Sequence, residues 1–261
     1  MHSTSPSPLS LRDRIRARQR LVGTFVKTPS YHALEILGMA GLDFACIDAE
    51  HAPFGPAELD VCILAARAAG LPAIVRIPDS RAATVLAALD VGACGILAPH
   101  ALDADHVQRV LGNARYQDGK RGLSNSPRAG RYGTSSLSEH AATADRDTVV
   151  MCQIEDMEAL DEIDAIAAIG QLDCLFIGRA DLAASAGIFD LADARVEQAV
   201  QRICRAGRDS GKAVGIFLND LTQVAHYEAL GASLFIIGSD QSMLRTQASA
   251  MAQHFHAMRS D

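Results

Sequence analysis

Eight short apolar segments recur along the 261-residue chain, and their spacing limits the folds it can adopt. Each segment has the length of a strand buried on both faces, and each ends before the ~18 apolar residues that a membrane-spanning helix needs. The stretches between them have the apolar period of helices, and several close at a glycine. Helices are predicted over Pro56–Ala69, Ser80–Leu89, Met157–Ile169 and Ala194–Arg208. The eight segments are LVGTFV from Leu21, FACID from Phe44, AIVRI from Ala73, GILAP from Gly95, VVMCQIE from Val149, CLFIG from Cys174, AVGIF from Ala213 and LFIIG from Leu234.

Strand and helix alternating eight times in roughly 250 residues predict an α/β fold of the (β/α)8 barrel type. A doubly wound open sheet is the alternative. It would place a glycine-rich phosphate turn after its first strand, and neither GxGxxG nor GxxxxGK[ST] occurs in the chain. We therefore expect a flexible tail over residues 1–10 and a single barrel domain over residues 11–261.

The net charge and the cysteine content limit the binding partners of the protein and the cellular compartment in which it functions. The 24 Lys and Arg residues against 31 Asp and Glu residues give a formal net charge of −7, which argues against nucleic acid or an anionic membrane as a partner. The N-terminus lacks the apolar centre of a secretory signal, although its basic, Ser-containing composition leaves a transit peptide as an alternative. The six cysteines form no CxxC pair, which fits a reducing cytoplasm. Cys152 is an alternative nucleophile at the polar end of its segment.

The connection after GILAPH is much longer than the others. Beyond a predicted helix over Ala104–Ala114 it continues as YQDGKRGLSNSPRAGRYGTSSLSEH, without an apolar period. A segment of this length is either disordered or an active-site loop. Its Gly, Ser and Arg content favours a loop that folds over an anionic ligand.

Polar residues end almost every apolar segment. Active sites of (β/α)8 barrels form at the C-terminal ends of the strands, so these residues are the site candidates. Carboxylates, histidine and arginine are thereby predicted to meet on one rim. In segment order the candidates are Asp48, Glu50, His51, Arg76, Pro99, His100, Gln153, Glu155, Gly178, Arg179, Asp181, Asn219, Gly238, Ser239 and Asp240.

Glu155 and Asp181 end adjacent predicted strands. Two carboxylates side by side repel each other unless a proton or a cation lies between them. Mg²⁺ or Mn²⁺ accepts two carboxylates and keeps its other positions for water and substrate oxygens, as in a Lewis-acid site. The alternative is that both are ordinary rim carboxylates paired with Arg or Lys.

Three further side chains suggest proton transfer and charge stabilisation. His51 is a candidate general base whose imidazole Asp48 or another carboxylate would orient, although a strand-end histidine can also be a surface residue. Arg76 needs an anion, either a carboxylate of the protein or a substrate enolate or carboxylate. Lys27 is an alternative Schiff-base lysine, although it lies beyond its apolar segment. His100 has no acid in its own segment and is interpreted as a pocket residue or a loop support.

Several segments, taken in order, match those of a known family. They are GTFVKTPS from Gly23, DFACIDAEHAP from Asp43, IVRIP from Ile74, LDVGACGILAPH from Leu89, KRG from Lys120, CQIEDMEALDEID from Cys152, FIGRADLAASAG from Phe176 and GSD from Gly238. Through them the chain resembles, over nearly its whole length, the HpcH/HpaI aldolases, which are metal-dependent class II pyruvate aldolases with a (β/α)8 fold. The order DxEH, QIE and ADL is specific, although each motif alone is weak.

The resemblance implies roles for the catalytic residues. Glu155 and Asp181 would be the ligands of a divalent cation, Mg²⁺, Mn²⁺ or Co²⁺. Arg76 would hold the pyruvyl C2 oxygen as it becomes an enolate, and His51 would be the base on the C4 hydroxyl. Asp48 belongs to the same catalytic set.

The resemblance also implies substrate contacts and an oligomer. Asp90 matches an acid that assists His51 from a neighbouring subunit, which implies a homo-oligomer, in the family a hexamer built as a trimer of dimers. The C-terminal helix either packs on its own barrel or exchanges with a partner. Gln153 would lie beside the pyruvyl oxygens, and the backbone N–H of Ala180 would bind the substrate carboxylate. The predicted substrate-binding set is Gln153, Gly178, Ala180, Arg179 and Pro99.

Two departures from the family concern substrate choice. The family usually has Pro where this chain has Arg179, which would bind an acidic aldehyde portion, pair with a carboxylate or reach across a subunit contact. The long loop has YQDGKRG where the family commonly starts with Tyr-Pro-Pro.

The implied activity is cleavage of a 4-hydroxy-2-oxo acid, such as 4-hydroxy-2-oxoheptanedioate, to pyruvate and an aldehyde, as in cytoplasmic breakdown of aromatic or sugar acids. Alternatives are a 2-keto-3-deoxy sugar-acid aldolase, a CoA-thioester lyase of the citrate lyase β type and a non-catalytic keto-acid-binding barrel.

Overall fold

Eight parallel strands close into a barrel in the computed structural model, which describes residues 9–258. Strand order follows the chain, and the first strand closes the barrel against the last. All eight predicted segments form strands, so the expected (β/α)8 barrel is confirmed. The strands are β1 (Leu21–Val26), β2 (Phe44–Asp48), β3 (Ala73–Arg76), β4 (Gly95–Ala98), β5 (Val149–Ile154), β6 (Cys174–Ile177), β7 (Ala213–Leu218) and β8 (Leu234–Ser239).

Helices lie between successive strands. The segment predicted as one helix from Met157 to Ile169 is divided into a 3-10 turn and a short α-helix, while the others begin and end within two residues of expectation. The α-helices are α1 (Leu11–Arg16), α2 (Tyr31–Gly38), α3 (Pro56–Ala68), α4 (Ala82–Asp90), α5 (Ala104–Ala114), α6 (Leu137–Asp147), α7 (Ile163–Ala167), α8 (Arg179–Ser185), α9 (Ala194–Asp209), α10 (Val224–Leu230) and α11 (Asp240–Ala257), with 3-10 helices over Arg128–Gly133 and Met157–Leu160.

Local sequence signals set the helix ends. The side chains of Asp103 and Ser136 accept hydrogen bonds from backbone N–H groups of the first turns of α5 and α6. Pro56 occupies the first position of α3, where its missing N–H costs nothing. Gly231 ends α10 with φ of 109°, in the left-handed region that favours glycine. Ser10 caps α1 in the same way as Ser136 caps α6, and residues 1–8 of the predicted tail lie outside the described part of the chain.

Two apolar layers build the core. One fills the barrel interior, where the ring of Phe44 packs so close to β1 that a Cβ on Gly23 would lie 2.6 Å from it. The other layer lies between the strands and the surrounding helices and consists mainly of Ala, Val, Leu and Ile. Burial of both faces explains why each strand is a continuous apolar run in the sequence.

The N-terminal end of the barrel is closed by α1 and by an ionic cluster. Leu11 and Ile15 of α1 are buried against the barrel interior. Asp173, just before β6, accepts hydrogen bonds from Nε of Arg12 at 2.9 Å and Nε of Arg16 at 2.6 Å. Asp173 also accepts one from the backbone N–H of Val150 at 2.9 Å. This cluster fastens α1 to β5 and β6 at the end opposite the predicted site.

The long connection over residues 116–136 lies against α3 and α4. Arg121 donates a hydrogen bond to Asp90 at 2.9 Å, and Arg128 donates to the backbone oxygen of Val91 at 2.8 Å. We expect this loop to fold over an anionic ligand, and within a single chain that expectation is wrong, because no residue of 116–136 lines the cavity of its own barrel. Arg121 and Arg128 instead bind an acidic side chain and a backbone carbonyl at the end of α4. These contacts join residues far apart in the sequence, so the composition of the loop does not reveal them.

The last helix, α11, starts on the barrel and then leaves it. The carboxylate of Asp240 accepts hydrogen bonds from the backbone N–H groups of Lys27 and Thr28 at 2.8 and 3.0 Å. None of the α11 residues, all within the described part of the chain, is buried, and Leu244 and Phe255 are among its exposed apolar side chains. Within residues 9–258, no helix combines the length and apolarity that crossing a membrane requires.

Candidate active site

A cavity of about 410 Å³ opens at the C-terminal ends of the strands, where active sites of this fold form. Its wall combines side chains from strand ends with side chains from the loops after β6 and β7. Predicted site residues that line it are His51, Arg76, Gln153, Gly178, Arg179, Ala180, Asp181 and Asn219.

Asp48 and Arg76 form an ion pair at the floor of the cavity. They are register partners on β2 and β3, and Asp48 is fully buried. Its Oδ1 accepts from Nε of Arg76 at 2.9 Å and its Oδ2 from Nη2 at 2.7 Å. Of the two anions considered for Arg76, the structure shows a carboxylate of the protein. Lys27 lies close by, with Nζ 3.3 Å from Oδ2 of Asp48, so its amine is engaged in an ion pair.

The pair keeps both partners charged. Burial alone would raise the pKa of Asp48, but the hydrogen bonds and charge of Arg76 outweigh it and hold that pKa below its ordinary value. Burial alone would lower the pKa of Arg76, and the Asp48 carboxylate reverses that shift and raises it. Asp48 therefore acts as a fixed anion that orients a cation rather than as a proton donor.

Asp48 or another carboxylate is expected to orient His51, and the structure brings another carboxylate close to its ring. Its backbone N–H, not its ring, donates to Oδ1 of Asp48 at 3.1 Å. The ring Nε2 lies 3.7 Å from Oε2 of Glu50, an oxygen that is also 3.4 Å from Nε of Arg76. Asp48 as the direct orienting acid of the imidazole is thus wrong in this structure, because its carboxylate is occupied by Arg76. The alternative acid is Glu50.

Glu155 is a buried carboxylate at the end of β5, with 2 % of its surface exposed. Its Oε1 accepts the backbone N–H of His100 at 2.7 Å, and its Oε2 accepts the side-chain amide of Gln153. Burial raises the pKa of Glu155 to about 7, against the lowering effect of the His100 backbone N–H and ring, and the charges of Asp181 and Glu50 raise it further. This carboxyl group requires either a proton or a cation at neutral pH.

The residues around Glu155 fit a hard divalent cation. Oε1 of Gln153 is buried and has no hydrogen-bond partner within the described residues, so an oxygen ligand is available beside the two carboxylates. Carboxylate and amide oxygens are preferred by Mg²⁺ and Mn²⁺. No group of three or more His, Cys, Asp or Glu side chains in residues 9–258 is arranged to hold a metal. The protein would supply Glu155 and Asp181 and leave other positions to water and substrate.

Gly178 makes the close approach of Glu155 possible. A Cβ at this position would lie 2.8 Å from both Cβ and Oε2 of Glu155 and 2.9 Å from Nε2 of Gln153. Only glycine fits without a shift of these side chains. Gly178 was predicted as a substrate contact, and the structure gives it this spatial requirement in addition.

Pro99 and His100 follow β4 and lie outside the cavity lining. Pro99 is buried, and neither residue lines the cavity. His100 has a left-handed backbone with φ of 51°, which presents its N–H to Glu155. Its Nδ1 is 3.1 Å from Oδ2 of Asp156. His100 therefore supports Glu155 and the loop after β5, which agrees with the loop-support interpretation and not with that of a pocket residue.

Asp90 and Cys152 lie outside the cavity. Asp90 ends α4 on the outer surface and pairs with Arg121, so it does not reach His51 of its own chain. Cys152 is fully buried, and burial raises the pKa of its thiol to about 12, which leaves no reactive thiolate. The alternative of a Cys152 nucleophile is wrong.

Some cavity residues carry no signal in the sequence. Phe25 and Phe176 face the cavity from β1 and β6. Strands buried on both faces show no alternation, so the sequence does not reveal which of their side chains point inward. Gln223 belongs to the loop after β7, where no local pattern marks a functional residue. The sequence indicates Lys27 only as a Schiff-base alternative, yet its side chain lines the cavity.

Comparison with known proteins identifies relatives over the whole fold. The family model described as HpcH/HpaI aldolase/citrate lyase matches residues 21–246. The chain is 34% identical to a hydroxypyruvate/pyruvate aldolase of Paraburkholderia phytofirmans, covering 96% of this chain and 98% of the relative. It is 28% identical to a 5-keto-4-deoxy-D-glucarate aldolase of Shigella boydii, covering 98% and 99%.

The fold also resembles that of a solved structure. An HpcH/HpaI aldolase/citrate lyase family protein from Burkholderia cenocepacia superposes with a TM-score of 0.89 at 34% identity, covering 96% of this chain and 99% of that one. The family match extends from β1 into α11 and includes every strand-end residue of the cavity. The resemblance seen in the sequence motifs is confirmed, and the chain belongs to the HpcH/HpaI aldolase/citrate lyase family.

Proposed function

We propose that the protein is a divalent-metal-dependent class II aldolase that reversibly cleaves a 4-hydroxy-2-oxo acid into pyruvate and an aldehyde. The observation that carries this proposal is the buried Glu155, whose pKa is raised, near Asp181 and hydrogen-bonded to Gln153, a residue that lines the cavity together with Arg76 and His51. The aldolase names of the relatives from Paraburkholderia phytofirmans and Shigella boydii support the reaction class.

Glu155 and Asp181 would hold the cation. When bound, Mg²⁺, Mn²⁺ or Co²⁺ would neutralise the two carboxylates and supply Lewis-acid stabilisation of negative charge on the 2-oxo acid. Gln153 would lie beside the pyruvyl oxygens, and the backbone N–H of Ala180 would bind the substrate carboxylate.

His51 would be the general base. It would remove the proton of the C4 hydroxyl, after which the C3–C4 bond breaks and the aldehyde carbonyl forms. The electron pair of that bond would pass into the pyruvate enolate, which then takes a proton at C3. Among the described residues, Glu50 is the acid within ion-pair distance of the imidazole.

Arg76 would stabilise the enolate. Two of the N–H groups of its guanidinium are fixed by Asp48, which sets the plane of the group at the cavity floor. The other N–H groups would bind the C2 oxygen as negative charge develops on it, the stage at which a preorganised cation contributes most. Asp48 would thus act through Arg76.

A homo-oligomer would complete the site. Asp90 lies on the outer surface of its own chain and would assist His51 of a neighbouring copy, and α11 exposes apolar side chains beyond the barrel. A hexamer built as a trimer of dimers is the expected assembly, with α11 packed on its own barrel or exchanged. Light scattering coupled to size-exclusion chromatography measures its mass.

The aldehyde product has two candidates. Succinic semialdehyde would follow from 4-hydroxy-2-oxoheptanedioate. Tartronate semialdehyde or a hydroxyaldehyde would follow from a 2-keto-3-deoxy sugar acid, and the names of the two curated relatives favour this second candidate.

The test is pyruvate release from racemic 4-hydroxy-2-oxo acids, coupled to lactate dehydrogenase. Protein is treated with EDTA and then supplied with Mg²⁺, Mn²⁺ or Co²⁺, with EDTA-treated protein alone as the control. Release that returns with the metal supports the proposal. A protein that binds the metal but cleaves no acid would instead be a CoA-thioester lyase or a keto-acid-binding barrel.

A further inference from the structure

Arg179 is a cation in the cavity wall without an acidic partner. Three Lys and Arg side chains line the cavity, and two of them, Lys27 and Arg76, share Asp48. For Arg179, no carboxylate of residues 9–258 comes within ion-pair distance. A guanidinium in a cavity wall without a counter-charge is available for a charge-assisted hydrogen bond to an anion from outside the chain.

Neutral groups hold the Arg179 guanidinium in place. Nη1 donates to Oε1 of Gln223 at 3.1 Å, and Nη2 donates to the backbone oxygen of Leu191 at 3.2 Å. Its Cζ lies 5.1 Å from the ring centroid of Tyr227. Nε is buried and has no hydrogen-bond partner within the described residues. These contacts orient the cation without neutralising it, as expected of a preorganised anion-binding group.

The side-chain contacts hold the Arg179 guanidinium against loop residues, although its backbone adjoins Ala180, whose N–H is proposed to bind the substrate carboxylate. Arg76, Gln153 and Glu155 lie at strand ends, whereas Gln223 and Leu191 belong to loops beyond them. The guanidinium is therefore held by loop residues after β6 and β7 rather than by residues at strand ends.

We propose that Arg179 binds a carboxylate on the aldehyde half of the substrate and thereby makes the site selective for dicarboxylic substrates. This inference rests on the proposed aldolase function and adds the residue that recognises the second acid group. Arg179 is a specificity-determining residue. The reaction itself requires no charge at this position.

Binding of substrate analogues tests the proposal without any turnover. 2-Oxoadipate and 2-oxohexanoate have chains of equal length and the same 2-oxo acid end, and neither has the C4 hydroxyl needed for cleavage. Only 2-oxoadipate has a second carboxylate. Isothermal titration calorimetry with Mg²⁺ measures the Kd of each for the wild-type protein and its variants.

Arg179→Gln removes the charge and keeps an amide, while Arg179→Lys keeps the charge. The matched control is Arg202→Gln on the exposed face of α9, where Arg202 pairs with Asp164 away from the cavity. Thermal unfolding of each variant checks that it is folded. If Arg179→Gln does not fold, the comparison of wild type with Arg179→Lys carries the test.

We expect the wild type to bind 2-oxoadipate about tenfold or more tightly than 2-oxohexanoate, the size of one charge-assisted contact. Arg179→Gln should abolish this preference, Arg179→Lys should retain part of it, and Arg202→Gln should leave it unchanged. An equal preference in wild type and Arg179→Gln overturns the proposal, as does a parallel loss for both ligands, which would place Arg179 on the pyruvyl carboxylate. Failure of both ligands to bind the wild type also overturns it.

A second readout separates this inference from the proposed function. With pyruvate and a divalent metal, aldol addition to succinic semialdehyde is compared with addition to its uncharged methyl ester. A preference for the acid that Arg179→Gln removes through KM supports the proposal. Absence of addition to either aldehyde, together with a charge-dependent Kd difference, would contradict the aldolase function and leave the assignment of Arg179 supported.

Discussion

Asp48 and Arg76 are register partners on neighbouring strands, and the Asp48 carboxylate accepts two hydrogen bonds from one guanidinium. Parallel pairing places the two residues side by side at the strand ends, so the backbone itself fixes the orientation of the cation. The pair therefore joins the fold to the site, because a change in Asp48 affects both the barrel rim and the group proposed to hold the enolate.

Asp48→Asn should reduce both activity and stability. It replaces the bidentate carboxylate of the buried Arg76 by a neutral amide and leaves Glu50, at 3.4 Å, as the remaining acid. Loss of a partner from a buried pair typically costs about 3–5 kcal/mol, and Lys27 also loses its partner. We expect kcat/KM for pyruvate release to fall by about 10²-fold or more, the scale of a lost transition-state contact. Urea unfolding measures the stability. Asp147→Asn, which removes an exposed pair with Arg146, is the control that should change neither.

Alanine at Glu155 or Asp181 should remove nearly all activity. Each substitution deletes one of two proposed metal ligands, so Mn²⁺ binding, followed by electron paramagnetic resonance, should weaken in parallel with pyruvate release. Glu158→Gln, at an exposed position shortly after Glu155, is the matched control. Activity of either alanine variant within about tenfold of wild type at saturating metal would contradict the assignment of these ligands.

His51→Ala should lower kcat by about 10²–10⁴-fold while Mn²⁺ binding stays as in wild type, because a general base acts in the chemical step and not in metal retention. The variant His226→Ala removes an exposed histidine that pairs with Glu197 outside the cavity, and it should keep full activity. Loss of metal binding in His51→Ala would show that the imidazole holds the site together instead.

Stability of the metal-free protein should depend on pH through Glu155. Burial raises the pKa of this carboxyl from an ordinary value of 4.5 to about 7, so the folded protein retains a proton that the unfolded chain releases. The free energy of unfolding contributed by Glu155 therefore falls as pH rises from 4.5 to 7 and stays low above it.

Glu155→Gln should abolish this dependence. In thermal unfolding with EDTA, the variant should be more stable than wild type at pH 8, and the difference should vanish towards pH 4.5, the ordinary pKa of the carboxyl. Glu158→Gln serves again as the control. Equal melting temperatures of wild type and Glu155→Gln at pH 8 would contradict burial of a charged carboxylate.

The strands were predictable because a strand buried on both faces is a continuous apolar run bounded by polar residues, and this pattern is visible in the order of the residues. The rim followed from the fold, since strand ends of a parallel barrel meet at one edge. His51, Arg76, Gln153 and Asp181 were predicted in this way, and all four line the cavity.

The pairing of side chains within the rim was not predictable. Lys27, His51 and Arg76 all lie close enough to the end of β2 to pair with Asp48. The register of β2 against β3 places Arg76 beside the Asp48 carboxylate, and the sequence does not reveal this register. The path of residues 116–136 could not be predicted for a similar reason. It depends on hydrogen bonds from Arg128 to the backbone oxygens of Asp60 and Val91, which lie much earlier in the sequence.

The Asp173 cluster and the cavity occupy opposite ends of the same strands. Substitutions near Arg12 and Asp173 would change how long the folded molecule survives, whereas substitutions near Arg179 would change which molecules it accepts. Mutant libraries that seek a changed aldehyde specificity can therefore be confined to the loops after β6 and β7. If the α1 end of the barrel is left unchanged, its contribution to stability can offset destabilising substitutions in these loops.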